Sequence, residues 1–289
     1  MTFNSLQLRF APAAGVIVSV ICDSTDCWSE IERRVYHSSN PDVTAELLKI
    51  TRRSNKLLSA LPGNALELLR QDMRRVSLQR GMVCFEAGQV INRVYFPLTG
   101  MISLFVVTGD GEMIETGTIG REGAAGLQSG FGERKSYGLT TIQIAGDFAT
   151  IAATRFEQAV SNSAPIRDLV FHYTEVLWAE SQQIAACYAV HSGSARLCRR
   201  LLQVADSIGS DHIPLTHEYL ATMIGARRTT VTLLALELQE LGAIKCKRRK
   251  IAILDRRALE ACACECYKSM TQHNLTLKWG SRSESGAFV

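Results

Sequence analysis

No stretch of this chain reaches the eighteen or so consecutive apolar residues that a membrane helix requires. The closest is residues 11–22, with Arg9 just ahead; it lacks a convincing small-x-small cleavage site, and the segment before it is barely basic. That argues against a secretory leader. The phosphate-binding pattern GxxxxGK[ST] is absent, as are GxGxxG, HExxH and GxSxG, so no familiar nucleotide-dependent, metalloprotease or serine-hydrolase chemistry is signalled. A paired disulfide framework is missing too. The nine cysteines are an odd number, scattered from Cys22 to Cys266, which predicts free thiols in a reducing cytoplasm. Cys22 and Cys27 have no further ligand at metal spacing. Cys262, Cys264 and Cys266 fall in one predicted helix, where about 100° per residue turns Cys264 away from the other two. Neither group predicts a metal site, and no cofactor is expected.

What is present is an ordinary globular composition, 46% hydrophobic and 21% charged over 289 residues, enough for two domains. The net charge of +4 is unevenly placed. Residues 1–191 hold 17 Lys and Arg against 19 Asp and Glu, whereas residues 192–266 hold 12 against 8. Within residues 244–257 seven basic residues accompany the single acid Asp255. A solvated charged face explains this equally well on charge alone, but a polyanionic partner is the sharper hypothesis.

Residues 1–50 show no sustained period, and residues 51–80 read as short helices with Asn64 as an N-cap. Thirteen of the 21 glycines then crowd into residues 81–146. Between them lie short β-rich runs at 82–85, 94–96, 102–107, 113–119 and 140–144, with a hairpin turn at Thr108-Gly109-Asp110-Gly111. That texture predicts a jelly roll or barrel. All six histidines lie outside the segment, so it has no ligands for a cupin-type metal site.

Pro165 opens a helix that runs to about His191. Its residues Val170, Tyr173, Leu177, Glu180, Ile184, Cys187 and His191 step by three and four, as in a coiled-coil seam; a core-facing stripe within one subunit is the competing reading. Ser192-Gly193-Ser194 breaks the helix as a hinge, and a further helix over 195–208 ends at Gly209.

From Leu215 the pattern carries function. Thr216 caps a short helix, 218–224, that stops at Gly225, and a second helix runs from near Arg227 to Leu241. Its apolar stripe is Val231, Leu234, Ala235, Leu238 and Leu241, and Arg228, Thr229 and Thr232 point away from it. This is a helix-turn-helix pattern, in which those three side chains are candidates to read bases: Arg bonds guanine O6 and N7 together, and Thr meets a thymine methyl. Residues 244–247 and 251–253 then alternate about Arg248-Arg249-Lys250, a β-hairpin wing. Candidate phosphate contacts on the wing are Lys245, Lys247, Arg248, Arg249 and Lys250. On the helices they are Thr216, His217, Arg227 and Thr230.

At this point the chain resembles the Crp/Fnr family of bacterial transcription regulators. The stretches VYFPLTGMISL (94–104), LTHEYLATMIGARRTTVT (215–232) and ILDRRALEACACECY (253–267) are especially similar to its α-proteobacterial members. The resemblance covers roughly residues 52–267. It implies an α+β protein organised as an extension (1–50), a cyclic-nucleotide-binding-like β-roll (51–163), a dimerisation helix (164–191), a winged helix-turn-helix (192–267) and a flexible tail (268–289). It also implies a homodimer on a palindromic double-stranded operator, with RNA polymerase as a further partner, and no enzyme activity. Arg228 matches the family's guanine-reading position, Thr230 a backbone position and Thr216 a phosphate contact. Thr229 and Leu233 depart from the common pattern, which leaves the half-site sequence open. In cyclic-nucleotide-binding members a Gly-Glu and a later Arg-Ser hold the nucleotide. Here the nearest equivalents are Glu122, Arg134 and Ser136, with Arg and Ser not adjacent. The alternative reading is a nucleotide-sensing signalling module whose basic end binds a partner other than DNA.

Overall fold

The computed structural model describes residues 54–275 except Asp110 and Arg249, with side chains given to Gln272. Residues 1–50, including Cys22 and Cys27, lie outside the described residues. Two short helices, α1 (Lys56–Ser59) and α2 (Gly63–Arg70), precede the strands β1 (Arg74–Leu78), β2 (Val83–Phe85), β3 (Arg93–Pro97), β4 (Met101–Val107), β5 (Met113–Ile119), β6 (Leu139–Ile144) and β7 (Gly146–Ala152). Antiparallel pairing gives one sheet in the order β1-β7-β3 and a second in the order β2-β6-β4-β5.

The period of two in the strands decides what each face covers. Tyr95 and Phe148 point between the sheets, with Phe85, Ile102, Ile119 and Ile142. Val94, Phe96, Ala149 and Ile151 point the other way, onto α1, α2, α3 (Ala153–Asn162) and α4 (Ala164–Val190). β1 and β7 correct the sequence reading. β1 lies in the segment expected to be helical, because Val76 and Leu78 alternate and their partner strand β7 supplies the ladder. Asn64 does not cap α2, which Pro62 precedes; the side-chain cap is made by Asn55 on α1.

Helix α4 starts after Ser163 and ends at Val190. Its stripe of threes and fours faces this chain's own core: Val170, Tyr173, Ile184 and Cys187 are all buried. Gly123 explains how closely the stripe packs, since a Cβ there would lie 1.6 Å from the Tyr173 hydroxyl. The solvent-facing side instead carries Phe171, Trp178 and Ala185, seven residues apart. The spacing reported an apolar stripe, which cannot by itself say what covers it.

His191 is extended and Ser192 caps α5 (Gly193–Ile208), which ends at left-handed Gly209. Strand β8 (His212–Ile213), helices α6 (His217–Ile224) and α7 (Arg228–Glu240), strands β9 (Ile244–Lys247) and β10 (Lys250–Ile253), and helices α8 (Arg256–Cys262) and α9 (Cys266–Leu275) follow. α9 continues through residues expected to form a tail and packs on α4. The predicted single helix through the three cysteines is broken at Ala263, which is extended. That break overturns the expected divergence of the thiols. Cys264 and Cys266 now converge on Cys187 and His191 at the end of α4, and Cys262 is left beside Cys198.

Among the described residues no helix is long and apolar enough to cross a membrane.

Candidate nucleic-acid interface

The C-terminal region is built around Leu201, Leu220, Ile224, Val231, Leu238, Ile244 and Ile251, which share one core. Thr216 starts α6, its hydroxyl accepting from the Tyr219 N–H. Gly225 ends α6 at φ 60° and ψ 49°, a left-handed conformation that costs other residues about 1–2 kcal/mol. The chain then re-enters a helix after only Ala226 and Arg227, so α6 and α7 pack across a tight turn. Burying Val231, Ala235 and Leu238 fixes the rotation of α7. Arg228, Thr229 and Thr230 are thereby left exposed at its N-terminus. N-terminal positions of a second motif helix are those that reach base edges, and the helix end itself favours anions.

Two contacts organise this end. Arg228 Nε lies 3.7 Å from Glu218 Oε2 across the turn, both side chains being largely exposed. His217 Nδ1 lies 3.1 Å from Thr232 Oγ1, whose hydroxyl donates to the Arg228 carbonyl at 3.0 Å. The Thr232 oxygen therefore accepts from Nδ1–H. Its hydroxyl is thereby occupied on both sides. Burial, and then the nearby Arg228 guanidinium, holds His217 below the usual imidazole range.

β9 and β10 form the wing, with Lys250 opposite Lys247 and Ala252 opposite Lys245. Gln239 ties the wing to α7 by accepting the Cys246 N–H at 2.8 Å. Lys245, Lys247, Arg248 and Lys250 are exposed, and Arg249 lies outside the described residues. Two lysines directly opposite each other oppose sheet formation. Such a pairing is relieved by an external anion. Thr216, His217, Glu218, Arg228, Lys247 and Arg248 line one groove between α6, α7 and the wing. Arg227 is exposed beside it, and Thr230 faces solvent in the first turn of α7.

The three β-roll residues singled out for an effector engage separate partners. Arg134 pairs with Glu157 of α3, and the Ser136 hydroxyl donates to the Gly138 carbonyl at 2.7 Å. Glu122 accepts from the Gly120 N–H at 2.6 Å and from Ser207 of α5 at 3.5 Å, and burial pushes its carboxyl up. It lines a cavity of about 790 Å³ between the β-roll and the C-terminal region, with Lys56, Thr118, Arg200 and Arg256.

Sequence reasoning missed the contacts that dock the two regions. Arg200 of α5 forms a buried ion pair with Glu115 of β5. The Arg80 guanidinium lies 3.6 Å over the Tyr219 ring, and the Tyr188 hydroxyl donates to the Met223 carbonyl at 2.8 Å. These pairs are separated by 85, 139 and 35 positions, and no local spacing announces them.

Residues 195–262 match the Crp-like helix-turn-helix domain. The C-terminal region is thus a Crp-like helix-turn-helix domain. The transcriptional regulator SdrP of Thermus thermophilus is 28% identical over 202 residues, covering 64% of this chain and 95% of SdrP. FixK2 of Bradyrhizobium japonicum superposes with a TM-score of 0.59 at 13% identity, covering 66% of this chain and 98% of FixK2. TTHB099, a Crp-family transcriptional regulator of Thermus thermophilus, gives 0.54 at 20% identity, with 66% and 96% covered. At such identities the two solved structures speak to the fold alone: a β-roll, a long helix and a winged helix-turn-helix.

Proposed function

We propose that this protein is a sequence-specific, DNA-binding transcriptional regulator that acts in the cytoplasm by binding rather than catalysis. The observation that carries this reading is the exposed N-terminus of α7, with Arg228, Thr229 and Thr230 beside a basic wing. In this reading Arg228 and Thr229 read base edges, and the Thr232 methyl packs against a base. Thr216, His217, Arg227, Thr230, Lys245, Lys247, Arg248, Arg249 and Lys250 contact phosphates.

The protein acts as a homodimer through the outer face of α4. Phe171 is 49% exposed and Trp178 68%, and with Ala185 they form a heptad-spaced stripe that a second copy would cover. Two-fold pairing would present two α7 helices to half-sites about 34 Å, one helical turn, apart, which calls for a palindromic operator. RNA polymerase is the further partner that the resemblance to Crp/Fnr regulators implies. The interdomain cavity beside Glu122 is where a small effector would change how the two regions dock.

Selection of bound duplexes from a random pool tests the reading. The expected product is a two-fold symmetric sequence with half-sites one helical turn apart. Recovery of unenriched DNA, or of an asymmetric motif, contradicts it.

A further inference from the structure

The end of the long helix and the C-terminal helices bring together four side chains that the DNA-binding account does not use. Cys187 and His191 sit one turn apart at the C-terminus of α4. Cys264 and Cys266 flank Glu265 at the junction of α8 and α9, Cys266 being the first residue of α9, and the extended Ala263 turns both thiols toward α4. One ligand atom from each of the four lies within 4.8 Å of all the others. Cys187 and Cys266 are fully buried, Cys264 is nearly so, and the His191 side chain is 19% exposed.

The spacings match a single ion. Tetrahedral zinc with Zn–S near 2.3 Å and Zn–N near 2.05 Å sets ligand edges of about 3.8 Å between sulfurs and about 3.5 Å between sulfur and nitrogen. The Cys187 and Cys264 sulfurs are 3.6 Å apart, and Cys266 Sγ is 3.5 Å from His191 Nδ1. The surroundings also suit a metal. His191 Nε2 lies 3.1 Å from Glu265 Oε1, so a carboxylate holds the far nitrogen and aims Nδ1 inward, as outer partners of metal-bound histidines do. Gln183 Nε2 donates to Cys266 Sγ at 3.0 Å, a bond that favours a thiolate. Burial works against a charged Cys264 thiol, the nearby buried Arg199 guanidinium opposes that effect, and its positive charge would offset the net negative charge of three thiolates on a divalent ion.

We propose that Cys187, His191, Cys264 and Cys266 form a structural binding site for one thiophilic divalent cation, zinc by chemistry and size. Three sulfurs and one imidazole fill a tetrahedron and leave no position for substrate, so the site is closed. Its place in the fold gives it a task. The ion would join the last turn of α4 to the α8–α9 junction, across the extended His191 that separates the long helix from α5. The orientation of the helix-turn-helix relative to α4 would then depend on the metal. That consequence for DNA rests on the regulator reading; occupancy of the site does not.

The test is the metal content of the untagged full-length protein, purified anaerobically with a thiol reductant and freed of loose metal by gel filtration. About one zinc per chain is expected, with loss of the metal in Cys187→Ser/Cys264→Ser and retention in Cys22→Ser/Cys27→Ser. Because the buried double variant risks misfolding, cobalt replacement in the wild-type protein supplies a second readout. Intense tetrahedral d–d bands with sulfur-to-cobalt charge transfer are expected, and they should shift in His191→Ala while far-ultraviolet circular dichroism stays unchanged. Four results would each overturn the proposal: metal-free protein after zinc loading, weak octahedral cobalt bands, metal that follows Cys22 and Cys27, or a Cys187–Cys264 disulfide that persists under reductant. Operator binding is measured separately. A zinc-loaded protein that fails to bind DNA contradicts the regulator reading and leaves the metal site standing.

Discussion

Arg200 of α5 and Glu115 of β5 form an ion pair whose side chains are only 2% and 1% exposed, at the boundary between the β-roll and the DNA-binding region. Burial works against both charges, and each offsets the other's cost. Arg200 is further held by Thr118 and Gln203, each 3.3 Å away. Removing one partner leaves an uncompensated buried charge, so Glu115→Ala should lower stability by about 3–5 kcal/mol. Replacing both, as Glu115→Leu with Arg200→Met, should recover most of that loss. Chemical denaturation of the two variants checks this; equal losses would mean that the pair is not coupled.

Trp178 offers the largest exposed apolar surface on the outer face of α4. If that face is the dimer contact, Trp178→Glu should convert dimers to monomers without changing helix content. Sedimentation velocity reads the change directly. Affinity for a full palindrome should fall toward that for a half-site, because the second recognition helix is no longer tethered. A Trp178→Glu protein that sediments as a dimer refutes this placement.

His217 should make DNA affinity depend on pH. Its Nδ1–H serves Thr232, so in the neutral ring Nε2 has no proton to offer a phosphate. Burial and Arg228 hold its pKa below the usual value in the free protein, and a bound phosphate raises it. The affinity gain is therefore fully present below the free-state pKa and is lost as pH rises through the bound-state pKa. Binding isotherms from pH 5.5 to 8 should strengthen toward acid, and His217→Gln should flatten them. An unchanged profile in that variant assigns the proton to another group.

Arg228 and Lys247 should fail in different ways. Arg228→Ala should cost about 1–3 kcal/mol and relax preference at one base pair. Lys247→Ala should weaken all sequences alike and lower the salt slope by roughly one. Specificity profiling of both variants separates the roles, and a uniform loss for Arg228→Ala would make it a phosphate contact.

Much of this architecture was legible because local patterns report local structure. The period in α7, the Gly225 turn, the Lys-rich wing and the glycine-spaced strands β4 and β5 follow from short-range rules, and all lie where the sequence placed them. What the sequence did not reveal depends on long-range partners. β1 is a strand because β7 pairs with it. The α4 stripe is core because Gly123 admits Tyr173. The cysteine cluster escaped notice because its four ligands come from segments more than seventy residues apart, and because one extended residue, Ala263, undoes the helical phase used to separate them.

The most direct test of the central claim is the salt dependence of binding to a selected operator and to scrambled duplex. If α7 and the wing neutralise about six phosphates, affinity should fall roughly 10³-fold or more between 50 and 200 mM salt, with the operator staying ahead of the scrambled duplex throughout. Binding that ignores salt, or that never distinguishes the two duplexes, would contradict the assignment of this surface to DNA.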